Sequence, residues 1–457
     1  MTPDHDATNQ STDPTEDSAP SLRSHRKTAK RSGATFKGRF EDNIPEGYAT
    51  LSESEALEIL EKGHRLERHY IQHLNMSDVV SKNILLRDVY IYELNIDHAD
   101  VQRTVSLQGC RINRLHMNQS QFHDAVALKH CSIHFSHIHG CNFERGLNAE
   151  LSSIESKAIL HQNTFHGRVR FWEAHFKDWV NINECTFKDR LDMRSAVLEA
   201  GLTMPDCVFE GDVLFRGTHI ALKWEAENAR FDQLVDFSKA KLNDFVYLVD
   251  VKQGPEQRWA FWNTVSERIM ISAKQVEGRL LSEENEDYAQ AMREYTVLKR
   301  SFEYGNYYSR EDWAFYRFKV NERRAREKSW NNPFSKLLEF ADWLFLDWGC
   351  GYGTNPLRAI RTSIVMIIAF AAIYTMGFGM LHISDDAQLP FPELGVNHLM
   401  NQISVSLFIS LAAFTSGFGD LREVAIGWMN VPLMTEALLG TLMWGLFVVA
   451  FGRKVIR

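Results

Sequence analysis

The sequence predicts a multidomain chain: a β-solenoid, a helical hairpin connector, and an all-α segment with two spans flanking a re-entrant helix. Three observations carry this. Apolar residues recur every ten or eleven positions through the first half of the chain. Two charged amphipathic stretches follow. Nearly all long apolar runs lie after residue 357.

At 457 residues the chain exceeds what one hydrophobic core organises, so several domains are expected. The formal charge of −8 argues against a nucleic-acid partner. The N-terminus is polar and carries no apolar signal core. Six cysteines are few for this length, and a reducing compartment is the expected setting.

Residues 1–45 are rich in Ser, Thr, Asp and Pro and are expected to be a disordered tail. Its second half is basic, with Arg23, Arg26, Lys27, Lys30, Arg31, Lys37 and Arg39. A solvated tail, a contact with anionic lipid and a tethered pore plug are all open readings of it. Residues 46–75 are expected to form an N-terminal helix and cap, with Leu57, Leu60 and Leu66 on one side.

A β-helix is expected over residues 76–250. Phe165, Phe176, Phe187, Leu198, Phe209, Ile220, Phe231 and Leu242 stand eleven apart. Apolar pairs such as Val169 and Phe171, or Leu191 and Met193, alternate as strand residues do. Two places before most repeat positions stands a small residue. Cys110, Cys131, Cys141, Cys185 and Cys207 fill the slot that Ala174, Ala196 and Ala229 fill elsewhere. These cysteines are therefore expected in a stacked core, not in disulfides or a zinc site. Sixteen half-repeats give eight coils, a rod roughly 40 Å long at about 4.8 Å per coil. The histidines from His98 to His166 are expected to scatter over an outward, pH-sensitive face instead of binding metal. No nucleophile–base pattern or phosphate loop is present, so neither enzyme activity nor a cofactor is expected.

The units "ADVQR" (residues 99–103) and "ARFDQ" (residues 229–233) resemble those of pentapeptide-repeat proteins. The resemblance covers roughly residues 80–248. It implies a right-handed quadrilateral β-helix that serves as an interaction surface, with no single activity attached.

Residues 251–331 are expected to be the helical connector. Tyr288, Met292, Tyr295 and Phe302 share one helix face, "YGNYYS" breaks it, and Trp313, Tyr316 and Val320 mark a second helix. Residues 332–357 mix Leu and Phe with Trp343 and Trp348. They are expected as a helix in the membrane interface, or else as an ordinary amphipathic helix packed on the hairpin.

Residues 358–457 carry the spans. Residues 362–381 are uncharged, and residues 432–451 contain one charge, Glu436. Between them, residues 399–414 are apolar but short, which suits a re-entrant half-helix. Arg358 and Arg361 precede the first span, and Arg453, Lys454 and Arg457 follow the second. The loop between has no Lys or Arg up to residue 421. Both termini are thus expected in the cytoplasm and the chain in the plasma (inner) membrane.

The order of these elements, with "TSGFGD" at residues 415–420, resembles a potassium-channel pore of outer helix, pore helix, filter and inner helix. The resemblance implies a homotetramer whose filter is Thr415, Ser416, Gly417, Phe418, Gly419 and Asp420. Glycines there permit positive φ, so successive carbonyls can face one axis and hold permeant K+, or Na+. Ser416 and Phe418 replace the family's β-branched residue and Tyr, which loosens the expected selectivity. Gly440 falls near the family's gating-hinge glycine. Glu436 is expected at the outer mouth or paired behind the filter. The expected partners are the lipid bilayer, three further copies, and a cytoplasmic ligand or protein that gates through the β-helix. The alternative is a non-conducting, membrane-tethered scaffold whose β-helix docks proteins.

Overall fold

The fold was obtained as a computed structural model. It describes residues 40, 44–77, 83–326, 336, 339–381, 398–416 and 425–455. Its first large element is a parallel β-solenoid. One face is a ten-stranded sheet whose strands follow chain order from Leu66–Glu67 to Arg258–Ala260, one strand per turn. A 15-stranded and an 8-stranded sheet form the other faces.

The solenoid has ten turns instead of the expected eight, and its strands run from Ala49–Leu51 to Val265–Met270, beyond residues 76–250. The extra turns were hidden for two reasons. The last turn is stretched: Val235 faces Trp259, whereas neighbouring turns pair residues 22 apart, as Val213 does with Val235. At the other end, a helix was expected to include Leu66. The helix instead stops at Glu61, Gly63 takes a φ of 77°, and Leu66–Glu67 and His69–Asn75 are strands. Pairing of Leu66 with Leu86 and of Ile71 with Ile91 overrides the local helical spacing.

Inside, Phe122, Phe143, Phe165, Phe187, Phe209 and Phe231 stack ring on ring with centroids 4.8 to 5.0 Å apart. The ladder spacing sets this distance, and each ring is removed from water, worth about 1.5–3 kcal/mol apiece. All six cysteines are buried and unpaired. The slot that the five solenoid cysteines occupy explains the mixture of Cys, Ser and Thr with Ala. The Cys207 thiol donates to the Ile182 carbonyl at 3.1 Å, and the Ser120 and Thr218 hydroxyls donate to Ile96 and Met193 carbonyls at 2.7 Å. A small donor there satisfies a carbonyl of the previous turn. Burial pushes the Cys141 thiol up to about 12. Four of the histidines, His116, His137, His139 and His161, come together with successive ring centroids 5.1 to 6.2 Å apart.

Both solenoid ends are covered, as stacked strands require. A cap helix, Glu53–Glu61, buries Ala56 and Leu60 over the first turns and starts with a capping box between Ser52 and Glu55. At the far end lies a helical hairpin, Tyr288–Tyr304 and Tyr308–Ala325. Its first helix meets the last turns through Glu294, which accepts from the Phe261 amide at 3.2 Å, and Ser301, which accepts from the Ile269 amide.

After the hairpin, Asp342–Gly349 form a π-helix within the stretch expected at the membrane interface. Three apolar helices follow: Pro356–Met376, His398–Ser416 and Asn430–Val455. They are called here the first, middle and last apolar helices. Pro356 at the first helical position and an Asn355 side chain accepting from the Leu357 amide start the first one. Two helices, Pro356–Met376 and Gly427–Val455, are long and apolar enough to cross a membrane. They leave Ile364, Ile368, Leu438 and Val448 bare, a surface that water does not favour.

Candidate functional site

The three apolar helices pack against one another around a carboxyl group. Glu436 of the last helix is fully buried. One of its oxygens accepts from the Tyr374 hydroxyl of the first helix at 2.6 Å. The other accepts from the Ser410 hydroxyl of the middle helix, whose oxygen also lies 2.8 Å from the Ile367 carbonyl oxygen. One side chain thus joins all three helices, and it lies inside their packing instead of at an open mouth. Tyr374 and Ser410 were not anticipated from sequence, because a hydroxyl in an apolar run gives no sign of its partner.

One turn further along, Gly440 lets two backbones touch. A Cβ at this position would stand 2.3 Å from the Phe414 carbonyl oxygen. Its role in this arrangement is close approach, a different requirement from the hinge suggested by its position in the sequence. The middle helix runs three residues beyond the short apolar segment at its start and end, through Thr415 and Ser416. Those two positions were expected to be filter backbone. They are helical because no stop signal precedes Gly417, and the Thr415 hydroxyl turns back to the Leu411 carbonyl at 2.7 Å. Gly417, Phe418, Gly419 and Asp420 lie outside the described residues.

A second cluster joins the hairpin to the ends of the apolar helices. Arg453, in the last turn of the last helix, lies 3.1 Å from Asp312 and 3.7 Å from Glu311. Its guanidinium covers the Phe315 ring at 4.3 Å. The Tyr316 hydroxyl donates to Asp347 at 2.8 Å, and Arg323 pairs with the same carboxylate at 2.6 Å. Arg358 at the start of the first apolar helix covers the Tyr316 ring at 4.8 Å. Sequence reasoning used Arg358 and Arg453 only as topology charges.

The hairpin is held to the solenoid end by buried polar groups. Arg317 pairs with Glu283 at 2.8 Å, and Glu294 also accepts from the Ser282 hydroxyl at 2.6 Å. Burial pushes the Glu294 carboxyl up to about 7, against the opposing pull of its hydrogen bonds from Ser282, Gln290 and Phe261. A continuous series of contacts therefore runs from solenoid to hairpin to the ends of both long apolar helices.

Among the described residues, no group of three or more His, Cys, Asp or Glu side chains is arranged to hold a metal ion. Comparison with known protein families, with curated proteins and with solved structures finds no match to this chain.

Proposed function

We propose that the chain is one subunit of a homotetrameric cation channel, conducting potassium, with its pore in the plasma (inner) membrane and both termini in the cytoplasm. The observation that carries the reading is the middle helix. It is held between two membrane-length helices by Glu436 and Gly440, and its C-terminal end leads directly into Gly417-Phe418-Gly419-Asp420. In this reading it is a re-entrant pore helix. The negative end of its dipole faces the permeation path and favours a cation there. Four copies of residues 417–420 would supply the rings of oxygens that replace the ion's water shell.

The β-solenoid, right-handed in this reading, is the cytoplasmic sensor. Its movement reaches the pore through the hairpin, because Asp312 and Phe315 hold the end of the last helix and Tyr316 holds the start of the first. Residues 339–349 then form the interfacial collar between hairpin and membrane.

Reconstitution into potassium-loaded liposomes tests this. Cation efflux that depends on the protein supports the channel. Liposomes that stay sealed across pH, tension and added cytoplasmic ligands would leave the scaffold reading in its place.

A further inference from the structure

We propose that the solenoid carries a nucleotide-binding groove on its ten-stranded face, built from Arg168, Arg170, Trp172, Arg190 and Arg194. The ladder sets the arrangement. Val169 faces Leu191 and Arg170 faces Asp192 in adjacent turns. Side chains alternate along a strand, so Arg168, Arg170 and Trp172 leave one face together. Arg190, Asp192 and Arg194 leave the same face one turn later, about 4.8 Å away. With Glu150 they line a cavity of about 180 Å³.

The arginines are held in place but not used up. Asp192 grips Arg194 through two bonds of 2.7 and 2.8 Å, Asp212 holds Arg190 at 2.8 Å, and Asp189 stands 3.5 Å from Arg168. A guanidinium has five N–H donors, and each pair occupies one or two of them. Glu150 is tied to Lys129. Arg170 is exposed and has no ion-pair partner among the described residues. With Lys129, Asp189 and Asp212 counted, five cations stand against four carboxylates, and the one positive charge in excess is that of Arg170. Fixed guanidinium forks match phosphate oxygens. The feature is local: the residues stacked on Arg170 in the turns before and after are Asn148 and Asp192.

Trp172 selects among polyanions. It is the aromatic member of an otherwise charged lining and is 39% exposed, so its ring can receive a planar base. The cavity is smaller than the roughly 300 Å³ that encloses a whole small ligand. Phosphates therefore fill the groove while the base lies on the rim against Trp172. Binding here stands apart from ion conduction; only its use as a gating input rests on the channel reading.

Calorimetric titration of the full-length protein in detergent with ATP, AMP and pyrophosphate tests the site. ATP should bind more tightly than pyrophosphate, and AMP most weakly. Arg170→Ala should weaken ATP and pyrophosphate at least tenfold. Trp172→Ala should weaken ATP several-fold and leave pyrophosphate unchanged. Lys241→Ala, on another sheet, should change nothing. Three results would overturn the proposal: no ATP binding at millimolar concentration by folded wild type, undiminished binding by Arg170→Ala, or capture of an acidic peptide in preference to ATP. An equal loss of ATP and pyrophosphate in Trp172→Ala would overturn the base contact. ATP binding by protein that passes no cations would overturn the channel and leave the groove standing. Efflux without ATP binding would do the reverse.

Discussion

The guanidinium of Arg453 stands 4.3 Å over the ring of Phe315 and 3.1 Å from Asp312, fastening the last helix to the hairpin that closes the solenoid. A cation–π contact of this kind contributes about 0.5–2 kcal/mol. Arg453→Ala and Phe315→Ala should each speed amide exchange across Tyr308–Ala325, and the double variant should exchange little faster than either single one. Fully additive effects would contradict a direct contact.

Glu436 is the shared acceptor of the apolar helices. Glu436→Leu leaves the Tyr374 hydroxyl without its partner, at a cost of about 1–3 kcal/mol. Glu436→Gln retains an acceptor for it. Thermal unfolding in detergent should show the Leu variant below the Gln variant. The opposite order would contradict the hydrogen-bonded cluster.

Two glycines of the last helix make an internal comparison. A Cβ at Gly440 would collide with the Phe414 carbonyl, whereas a Cβ at Gly445 meets nothing within 4 Å. Gly440→Ala should lower the unfolding temperature. Gly445→Ala should be neutral or raise it, since Ala favours a helix over Gly by about 1 kcal/mol. Equal tolerance at both sites would contradict the close approach.

Glu294 links the hairpin to pH. Burial raises its carboxyl from 4.5 to about 7, so the folded protein holds the proton more tightly than the unfolded chain. The stability tied to this group is full below about pH 4.5 and is lost as pH rises through 7, a change on the order of 3 kcal/mol. Glu294→Gln should therefore gain on wild type in unfolding scans taken from pH 5 to pH 8. A difference that stays constant with pH would contradict the assignment.

Much of the solenoid was legible because each turn returns to the same slots. Phe165, Phe187, Phe209 and Phe231 mark one wall, and Cys185 and Cys207 mark the donor slot beside it. The last turn was not legible, because Trp259 arrives two residues late. The first was obscured because Leu57, Leu60 and Leu66 imitate a helix that Gly63 ends. In the apolar region the charge of Glu436 was conspicuous. Its partners lie 62 and 26 residues away, a distance that only packing can bridge. The same holds for Arg453, whose charge was used only for topology while its aromatic partner went unseen.

The central claim is that the segment following the middle helix, residues 417–420, forms the conduction path. The most direct measurement is the reversal potential of reconstituted protein under opposed potassium and sodium gradients, alongside Gly417→Ala. The account predicts a wild-type potential displaced toward the potassium equilibrium value and loss of that current or its selectivity in the variant. Unaltered currents in Gly417→Ala would contradict it.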